Sequence, residues 1–491
     1  MSDASRRAVR ATLVVVAITA LAGYARFHGL GLPDEKVFDE VYYASDGCWY
    51  AGLDPEACGL EDDREQSWVH PPLGKIMIGW GIDAFGNDPF GWRFSAAVAG
   101  TLAVALGGIL AFLLTSSPAW AGIGALLVGT EHLLFVQSRI AMLDVFLALL
   151  VLLGLVLLVW DRRRNLLDAA PEPTTPPPPG DATEDAWLDQ APEDQGWLDE
   201  PVDEAPAAPG GLRPLRFLAG AAFGAAVAVK WSGVLALVAG VLLATAWERS
   251  DRRARGVRRP LRRALAEGWP SLLLGLVVVP LLVYSLAWSS WFLREPERSV
   301  GSWIGHHQAM ADYHFGLSTE DEDGEPIHPY MSRAPSWLLL LRPVAYFFES
   351  GSWGQPSATA REILGIGSPL LFWGGLVVTP YLLLAWFRRR DWRYGAVLVP
   401  LLLQYLPWLA VSRPLFLFYM TPVTPLLALG MLLAVRDLGH VRIRGRRIMA
   451  AAPAVLVAVA VALFAFFWPV LTARTLSADA WQTRIWLGSW V

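Results

Sequence analysis

Long, uninterrupted apolar runs constrain the fold of this chain more than any other feature. Several runs approach or reach the roughly 20 residues that cross a bilayer core as a helix, and 54% of the 491 residues are hydrophobic. Runs that are continuously apolar, rather than alternating, predict helices, and in lipid only helices or closed barrels satisfy every backbone group. The sequence therefore predicts an all-α polytopic membrane protein with about 11 transmembrane helices. The predicted spans are residues 9–25, 93–115, 119–137, 140–160, 214–230, 232–248, 269–292, 365–387, 394–411, 414–435 and 448–470.

Clusters of basic residues predict how these spans are oriented, because basic loops stay on the cytoplasmic side of a membrane. Under this count all the clusters fall on one side, from "SRRAVR" near the N-terminus to "RIRGRR" at 442–447. The N-terminus is then cytoplasmic, the loops 26–92 and 293–364 are external, and a multi-pass protein of the plasma membrane is expected. The "ALA" at 20–22 resembles a signal-peptide cleavage site, but the downstream charge pattern favours an uncleaved anchor.

One segment of the predicted cytoplasmic loop differs from the rest of the chain in composition. Residues 168–211 are Pro-rich and contain 12 Asp/Glu and no Lys/Arg, so the remainder is net positive although the formal charge is −5. The segment has too little apolar surface to fold and is predicted to be a disordered linker. Trp187 and Trp197 repeat within it, which leaves two readings, a docking motif or a plain spacer. The predicted regions are 1–160 (N-terminal membrane region), 161–213 (cytoplasmic loop), 214–292 (central membrane helices), 293–364 (second external loop) and 365–491 (C-terminal membrane helices and a short external tail).

The first external loop is the first place where chemistry on an external substrate can occur. In "KVFDEVYYASDGCWY", at 36–50, Asp39 and Glu40 stand side by side among hydrophobic residues. They are either catalytic carboxylates or part of a solvated interfacial loop. Further along, "LGKIMIGWGIDAFG" at 73–86 is apolar but too short to span, and it predicts an amphipathic helix that lies in the membrane interface.

The only two cysteines of the chain, Cys48 and Cys58, both lie in this loop. An oxidising exterior favours a disulfide between them, and two unpaired thiols are the alternative. Metal binding would require more ligands than this pair supplies.

Several basic residues lie at or near the external ends of the predicted spans. They are Arg26, Arg93 and Arg139 at span ends, and His70 and Lys75 in "HPPLGK" between them. Each arginine alone fits ordinary snorkelling. Together these residues predict a positive pocket at the membrane surface, which suits the phosphate of a lipid carrier.

Asp144 is exceptional because it interrupts the apolar run "MLDVFLALLVLL". An ionisable group within a membrane span is costly and is therefore a candidate functional residue. Its expected partner is either Arg139 or Lys230, which also lies at the end of an apolar segment.

The second external loop is rich in histidine. It contains His306, His307, His314 and His328. The first three resemble a metal-binding set, but the flanking acids of a known site are missing, and no metal site is predicted. We expect instead a lid that binds acceptor or carrier, with Arg333 or Arg342 available for phosphate.

Six ordered motifs now support a family resemblance. "FDEVYY", "HPPLGK", "RIAMLD", "KWSG", "HPYMSRAPSWLLLLRPVAYFF" and "RPLFLFYMTPVTP" resemble, in that order, the bacterial protein O-mannosyltransferases of the GT-C superfamily. The resemblance covers nearly the whole chain apart from the acidic linker. It implies a GT-C type fold and an inverting transfer of mannose from polyprenyl-phosphate mannose to Ser or Thr of proteins during export.

The resemblance also implies roles for individual residues. Asp39 takes the position of the catalytic Asp and Glu40 that of its partner, while Arg26 and Arg93 lie where the family binds the carrier phosphate. Two departures stand out: the loop 293–364 is too short for an inserted β-trefoil domain, and the acidic linker is not a family feature.

The expected chemistry agrees with a single catalytic base. A Ser hydroxyl is a poor nucleophile and needs a carboxylate to accept its proton, whereas phosphate leaves as a stable anion without an acid. Hydrolases of glycosides differ, because they use two carboxyls. No cofactor is expected besides the lipid-linked donor, and metal dependence is left open. Expected partners are exported Ser/Thr-containing polypeptides, membrane lipids and the protein export machinery, with no nucleic acid.

Two other function classes compete with this interpretation. One is a GT-C transferase that uses another sugar or a glycolipid or cell-wall acceptor. The other is a transporter of polyprenyl-linked sugars, for which charged groups near the membrane midplane and matching halves would be expected. Here the carboxylates concentrate in predicted external loops and the halves do not match.

Overall fold

A computed structural model describes residues 2–61, 64–168, 213–294, 298–321, 323–355, 357–443, 446–447 and 449–490. The predicted linker 168–211, with Trp187 and Trp197, therefore lies outside the described residues except for its first position.

Helices make up most of the described chain, and we number them in chain order. The first half contains α1 (Asp3–Phe27), α2 (Glu40–Tyr50), α3 (Pro55–Cys58), α4 (Leu73–Phe85), α5 (Pro89–Thr115), α6 (Pro118–Gly129), α7 (His132–Gln137) and α8 (Asp144–Asp168). The second half contains α9 (Pro214–Val229), α10 (Gly233–Ala254), α11 (Pro260–Trp269), α12 (Val279–Ala287), α13 (Ser289–Arg294), α14 (Val300–Gly316), α15 (Pro369–Arg389), α16 (Trp392–Tyr405), α17 (Thr424–Gly439), α18 (Ala452–Leu471) and α19 (Ala478–Gln482). A π-helical turn, Pro270–Val278, joins α11 to α12.

Seven helices of the described chain are long and apolar enough to cross a membrane. They are Asp3–Phe27, Pro89–Thr115, Asp144–Leu166, Gly233–Ala254, Pro260–Arg294, Pro369–Arg389 and Ala452–Leu471. The other predicted spans are shorter helices. Span 119–137 is divided between α6 and α7, because the Glu131 side chain caps the start of α7 by accepting from the Leu134 amide. Span 414–435 becomes α-helical only from Thr424, after a 3-10 turn at Leu417–Met420, and Pro425 lies in the first turn of the α-helix.

The centre of the bundle is the segment between α6 and the first turns of α8. Every residue from 131 to 149 is buried, including Asp144 at the start of α8. Helices α5 and α9 pack against α8 on either side. The chain thus carries an ionisable residue into its most buried region, at one end of a long helix.

The loop 26–92 folds into a compact unit on this bundle. Helix α2 packs on α4 where Gly47 meets Gly79, and a Cβ at Gly79 would lie 2.6 Å from the Gly47 carbonyl oxygen. Only glycine permits this close approach. Cys48 and Cys58 form a disulfide that joins α2 to α3. On the outer face of α4, Trp80 is 59% exposed, in keeping with the amphipathic helix predicted here.

A small sheet, which the sequence analysis did not predict, joins the loop 293–364 to the end of the chain. Strands β1 (Val344–Gly351) and β2 (Thr359–Gly365) pair antiparallel. After the short hairpin of β3 (Arg442–Ile443) and β4 (Arg446–Arg447), strand β5 (Leu476–Ser477) pairs antiparallel with β2. The Trp481 indole then donates to the Glu362 carboxylate on β2, at 2.6 Å. The tail is thereby fixed against the loop.

Candidate active site

Asp39 lies at the start of α2, but its side chain does not cap the helix. The preceding residue, Phe38, has a left-handed backbone with φ of 51°, which is uncommon for a bulky side chain. Strain of this kind persists where the surroundings enforce it, and it recurs at functional sites. Instead of capping α2, the carboxylate of Asp39 forms a hydrogen bond with Tyr43. The Asp39 carboxylate therefore does not accept from the backbone amides at the start of α2.

The surroundings of Asp39 raise its pKa to about 6. Burial is the largest cause, because it penalises the charged form. The positive charge of Lys230 acts in the opposite direction, the negative charge of Asp144 raises the pKa further, and the hydrogen bond from Tyr43 lowers it. A carboxylate with this pKa is ionised at neutral pH and is more basic than an ordinary aspartate, which suits a general base.

Asp144 and Lys230 form an ion pair beside Asp39. The Lys230 ammonium lies 3.0 Å from both carboxylate oxygens of Asp144, and both residues are buried. Of the two partners that the sequence allowed for Asp144, Lys230 is the one observed. The ammonium also lies 4.6 Å from the ring centroid of Tyr419 and 5.6 Å from that of Phe418. Residues from four separate parts of the chain thus converge at one acidic centre.

Glu40, although adjacent to Asp39, is engaged in a different set of contacts. Its carboxylate accepts two hydrogen bonds from Arg93, from Nε and from Nη2, both at 2.8 Å. It also accepts from the backbone amides of Val37 at 2.9 Å and Ala141 at 2.7 Å. The carboxylate is completely buried and its oxygens are all engaged. Glu40 ties the loop that carries Asp39 to α5 and to the segment before α8.

The expectation that Arg93 binds a carrier phosphate does not agree with these contacts. Besides Glu40, its guanidinium donates to the carbonyl oxygens of Leu30, Pro33 and Glu35. The side chain is fully buried, so no donor faces an open site. Arg93 holds the loop 30–40 in place.

Lys75 is likewise occupied within the protein. Its ammonium donates to the Glu65 carboxylate at 2.6 Å and to the carbonyl oxygens of Ser67 and His70 at 2.9 and 3.0 Å. All three N–H donors are used, and the side chain is fully buried. Contrary to the sequence expectation, Lys75 fixes the segment 65–70 instead of facing a substrate.

Arg139 and Arg26 also lie inside the bundle and not on an open pocket. Arg139 donates to carbonyl oxygens at the end of α1, among them Arg26 at 2.7 Å and His28 at 2.9 Å, so it caps that helix. Arg26 is completely buried, donates to the Gly129 carbonyl oxygen at 3.4 Å, and lies over the Phe135 ring. The predicted pocket of Arg26, Arg93 and Arg139 is therefore not formed.

His70 does reach the acidic centre. Its ring lies 5.9 Å from that of Tyr43 and 5.6 Å from that of His314. Burial first, and then the charge of Lys230, lower the pKa of His70 well below its usual range, so the ring is neutral. His70 adds a neutral hydrogen-bonding group near Asp39 without adding charge.

The other histidines hold α14 against the loop 65–70. His306 and His314 make hydrogen bonds to the carbonyl oxygens of Trp68 at 3.2 Å and Val69 at 2.9 Å. His307 pairs with the Tyr284 hydroxyl at 2.7 Å. Within the ranges that the structure describes, no group of three or more His, Cys, Asp or Glu residues is arranged to hold a metal ion.

His328, Arg333 and Arg342, which lie in or just after the "HPYMSRAPSW" stretch, differ in whether they reach the acidic centre. The His328 ring lies 5.5 Å from that of Phe38, next to Asp39. Arg342 does not face the site, because it donates to the carbonyl oxygens of Pro329 and Ser489. Arg333 is exposed at the start of a 3-10 turn. Of these three, only His328 is brought near the acidic centre.

Sequence reasoning missed four residues near this centre: Tyr43, Gln404, Arg413 and Tyr419. Arg413 donates to His314 at 2.8 Å and lies over the ring of Tyr419. Tyr43, Arg413 and Tyr419 belong to the quoted motifs "FDEVYY" and "RPLFLFYMTPVTP", so those motifs were the available signal. Gln404 carries no such signal, since it lies in an apolar run.

The fold has a solved counterpart. It matches a structure of the S. cerevisiae protein O-mannosyltransferase Pmt1–Pmt2 complex bound to the sugar donor, with a TM-score of 0.71 at 14% identity, over 98% of this chain and 92% of that chain. At this identity the match shows the fold, a bundle that contains several helices long and apolar enough to cross a membrane.

Sequence comparisons give the family. Residues 299–490 match the C-terminal four TMM region of protein-O-mannosyltransferase, and residues 85–167 match dolichyl-phosphate-mannose-protein mannosyltransferase. Proteins named polyprenol-phosphate-mannose–protein mannosyltransferase from Mycolicibacterium smegmatis and Mycobacterium tuberculosis are each 31% identical, over 96% and 98% of this chain and 92% of their own length. The relative of that name from Corynebacterium glutamicum is 27% identical over 98% of this chain and 93% of its own length. The chain belongs to the protein O-mannosyltransferase family.

Proposed function

We propose that this protein transfers mannose from polyprenyl-phosphate mannose to Ser or Thr hydroxyls of exported proteins, with inversion at the sugar carbon. The observation that carries the proposal is the Asp39 carboxylate, whose pKa is raised to about 6 at a centre where Tyr43, Asp144 and Lys230 meet. The full-length similarity to polyprenol-phosphate-mannose–protein mannosyltransferases supports the choice of donor and acceptor.

The reaction follows from the chemistry of that centre. The oxygen of the acceptor hydroxyl attacks the anomeric carbon on the face opposite the phosphate. The Asp39 carboxylate takes the proton of that hydroxyl as the attack proceeds. The new carbon–oxygen bond forms as the bond from carbon to phosphate oxygen breaks. The bonding electrons leave with polyprenyl phosphate, which needs no acid because it is a stable anion. The only proton that moves ends on Asp39 and passes to water afterwards.

Lys230 is placed to assist the departure of the phosphate. Its ammonium is close enough to Asp39 to lower the pKa of that carboxylate. A cation fixed near a developing negative charge stabilises the transition state. Arg413, held on His314 and over Tyr419, offers a second positive charge on the same side. These two residues replace Arg26, Arg93 and Arg139 in the proposed phosphate role.

Glu40, Arg93 and Lys75 act as positioning residues. They do not face the reacting atoms, and their contacts fix the segments 30–40 and 65–70 on either side of Asp39. A base must be held within hydrogen-bond reach of the acceptor, so a rigid loop contributes to rate. The loop 293–364, whose helix α14 contacts Trp68 and Val69, is proposed to cover the site as a lid.

We further propose the setting of the reaction. The protein lies in the plasma membrane with a cytoplasmic N-terminus and external loops 26–92 and 293–364, in accordance with its basic clusters. It works among membrane lipids and alongside the protein export machinery. Transfer requires no cofactor beyond the lipid-linked donor, and activity that persists in a strong metal chelator would support this point.

The decisive experiment is reconstitution. Purified protein in lipid nanodiscs is incubated with radiolabelled polyprenyl-phosphate mannose and a Ser/Thr-rich peptide, with the Asp39→Asn protein as the matched control. Labelled mannose is expected on the peptide, in a linkage that alkali cleaves. Because transfer inverts the sugar carbon, the anomeric configuration of the product should be opposite to that of the donor. Label that appears only in a glycolipid, or only with a donor of another sugar, would overturn the proposed substrates.

A further inference from the structure

A narrow cavity lies beside the Asp144–Lys230 ion pair, where three parts of the chain meet. It is enclosed by the start of α10, the end of α16 and the turn before α17. Its polar lining includes Asp144, Lys230, Ser232 and Gln404, and its aromatic lining is formed by Trp408 and Tyr419. Because the charges of Asp144 and Lys230 both act on the pKa of Asp39, this cavity adjoins the proposed catalytic centre.

Gln404 is the unusual member of this lining. The residue is only 3% exposed, yet its Nε2 has no hydrogen-bond partner. Buried amide groups are nearly always hydrogen-bonded, so an unpartnered one that lines a cavity indicates a ligand. Gln137 provides a contrast for the amide nitrogen: it is also buried, and its Nε2 donates to the Tyr346 hydroxyl, although its Oε1 has no partner.

The charge of the cavity indicates what kind of ligand group it takes. Asp144 and Lys230 form an ion pair across 3.0 Å contacts, so the lining of the cavity is polar and has no net charge. It offers donors from Gln404 and Lys230, an acceptor from Asp144, and a hydroxyl from Ser232. A neutral group that both donates and accepts matches this set, and a sugar hydroxyl, like a water molecule, is small enough to be such a group.

The elements around the cavity also indicate how such a ligand arrives. Val234 and Val238 on α10 and Leu406 and Leu409 after α16 are exposed apolar residues. These flanking elements are typical of a lipid-facing surface, so a sugar attached to a lipid approaches the cavity from its own membrane.

We propose that Gln404 recognises one hydroxyl group of the hexose on the lipid-linked donor, and so determines which sugar is transferred. The inference rests on the proposed function and deepens it. A site built to hydrogen-bond a substrate hydroxyl rejects an analogue that lacks it, because the buried amide is then left unpaired. Gln404 supplies an amide of this kind.

The test asks which hydroxyl group of the donor sugar is recognised by Gln404. Wild-type protein and Gln404→Met are assayed with polyprenyl-phosphate mannose and with its 2-, 3-, 4- and 6-deoxy analogues, and kcat/KM is measured for each. Wild-type protein is expected to reject one deoxy donor by about 100-fold or more. Gln404→Met should lose most of that discrimination at the same sugar position and keep it elsewhere.

Other outcomes overturn the inference. If Gln404→Met slows all donors equally, the amide only supports the fold, as we expect for the control Gln137→Met. If it changes nothing, ordered water alone satisfies the amide. Failure of wild-type protein to use polyprenyl-phosphate mannose would instead overturn the proposed function.

Stability separates the two glutamines independently. Gln404→Met removes an amide nitrogen without a partner, so the melting temperature should stay equal or rise, whereas Gln137→Met should lower it. If Gln404→Met does not yield folded protein, Gln404→Asn carries the same donor test with a shorter amide.

Discussion

Glu40 and Arg93 form a completely buried ion pair through two parallel hydrogen bonds of 2.8 Å, immediately beside the Asp39 position in the chain. Two adjacent carboxylates therefore have separate tasks. The Asp39 carboxylate is available to act as a base, while both carboxylate oxygens of Glu40 accept hydrogen bonds from Arg93 and from two backbone amides. This division of roles determines how substitutions at the two positions should differ.

Asp39→Asn should abolish most transfer without unfolding the protein. Loss of general-base help is expected to reduce kcat by about a hundredfold or more. Burial raises the pKa of Asp39, so a neutral amide removes an unfavourable buried charge and the melting temperature should stay equal or rise. Donor binding should persist, and it is measured as the rise in melting temperature that polyprenyl-phosphate mannose produces. Near-normal turnover at saturating donor and acceptor would show that Asp39 is not the base.

Glu40→Gln should act mainly through stability. The change leaves Arg93 as a buried cation without its carboxylate, and breaking a buried pair in this way costs about 3–5 kcal/mol. The melting temperature should therefore fall markedly. The expression level of the protein and the kcat of transfer should both decline. The double variant Glu40→Gln/Arg93→Gln is the control, and its loss should be smaller than the sum of the single losses. Additive losses would argue against the coupling.

The pH dependence of transfer should report the ionisation of Asp39. The base is active when deprotonated, and its pKa is about 6, so kcat/KM should rise with pH and level off above that value. The negative charge of Asp144 raises the pKa of Asp39, so Asp144→Asn should move the midpoint to lower pH. A midpoint that stays in place would mean that another group titrates.

Glu362 is the control for that experiment. Burial raises the pKa of Glu362 to about 7, and the hydrogen bond from Trp481 lowers it in part, so this carboxyl titrates in the same region. Glu362 lies on β2, at the contact with the tail. Glu362→Gln should therefore leave the midpoint unchanged, and a shift would assign the profile to the sheet instead.

Removal of the disulfide should loosen the loop that carries Asp39. Cys48 lies in α2, and its bond to Cys58 closes a loop of 10 residues. Paired Cys48→Ser and Cys58→Ser substitutions should cost roughly 2–3 kcal/mol of local stability by loop-closure entropy. Hydrogen exchange of α2 is the measurement, with α18 as an internal reference. Labelling of both thiols in non-reduced wild-type protein would contradict the bond itself.

Deletion of residues 168–211 should leave membrane insertion and transfer largely intact. The segment has no apolar core to contribute, and its predicted side of the membrane is opposite the catalytic loops. Transfer by well-expressed deletion protein is the measurement. A loss of activity, reproduced by replacing Trp187 and Trp197 with Ala, would assign the repeat a docking role.

The sequence by itself determined the class of fold and the location of the chemistry. Continuous apolar runs favour helices, because a helix satisfies every backbone group in lipid, and seven helices of the described ranges are long and apolar enough to cross a membrane. The ordered motifs gave the family, and one of them placed Asp39 in the first loop. The two cysteines share that loop and are bonded in the structure.

Only the tertiary structure decided which charged groups are free. Arg93, Lys75 and Arg139 are positive in sequence and equally plausible as phosphate ligands. Each instead donates its hydrogen bonds to carbonyl or carboxylate oxygens of the folded protein. The carbonyl oxygens of a buried loop need hydrogen-bond donors from the protein because water is excluded there. Such partners depend on which segments meet, and residue types along the chain do not encode that directly. The raised pKa of Asp39 has the same origin, since desolvation and the nearby charges of Lys230 and Asp144 arise only when distant segments pack around it.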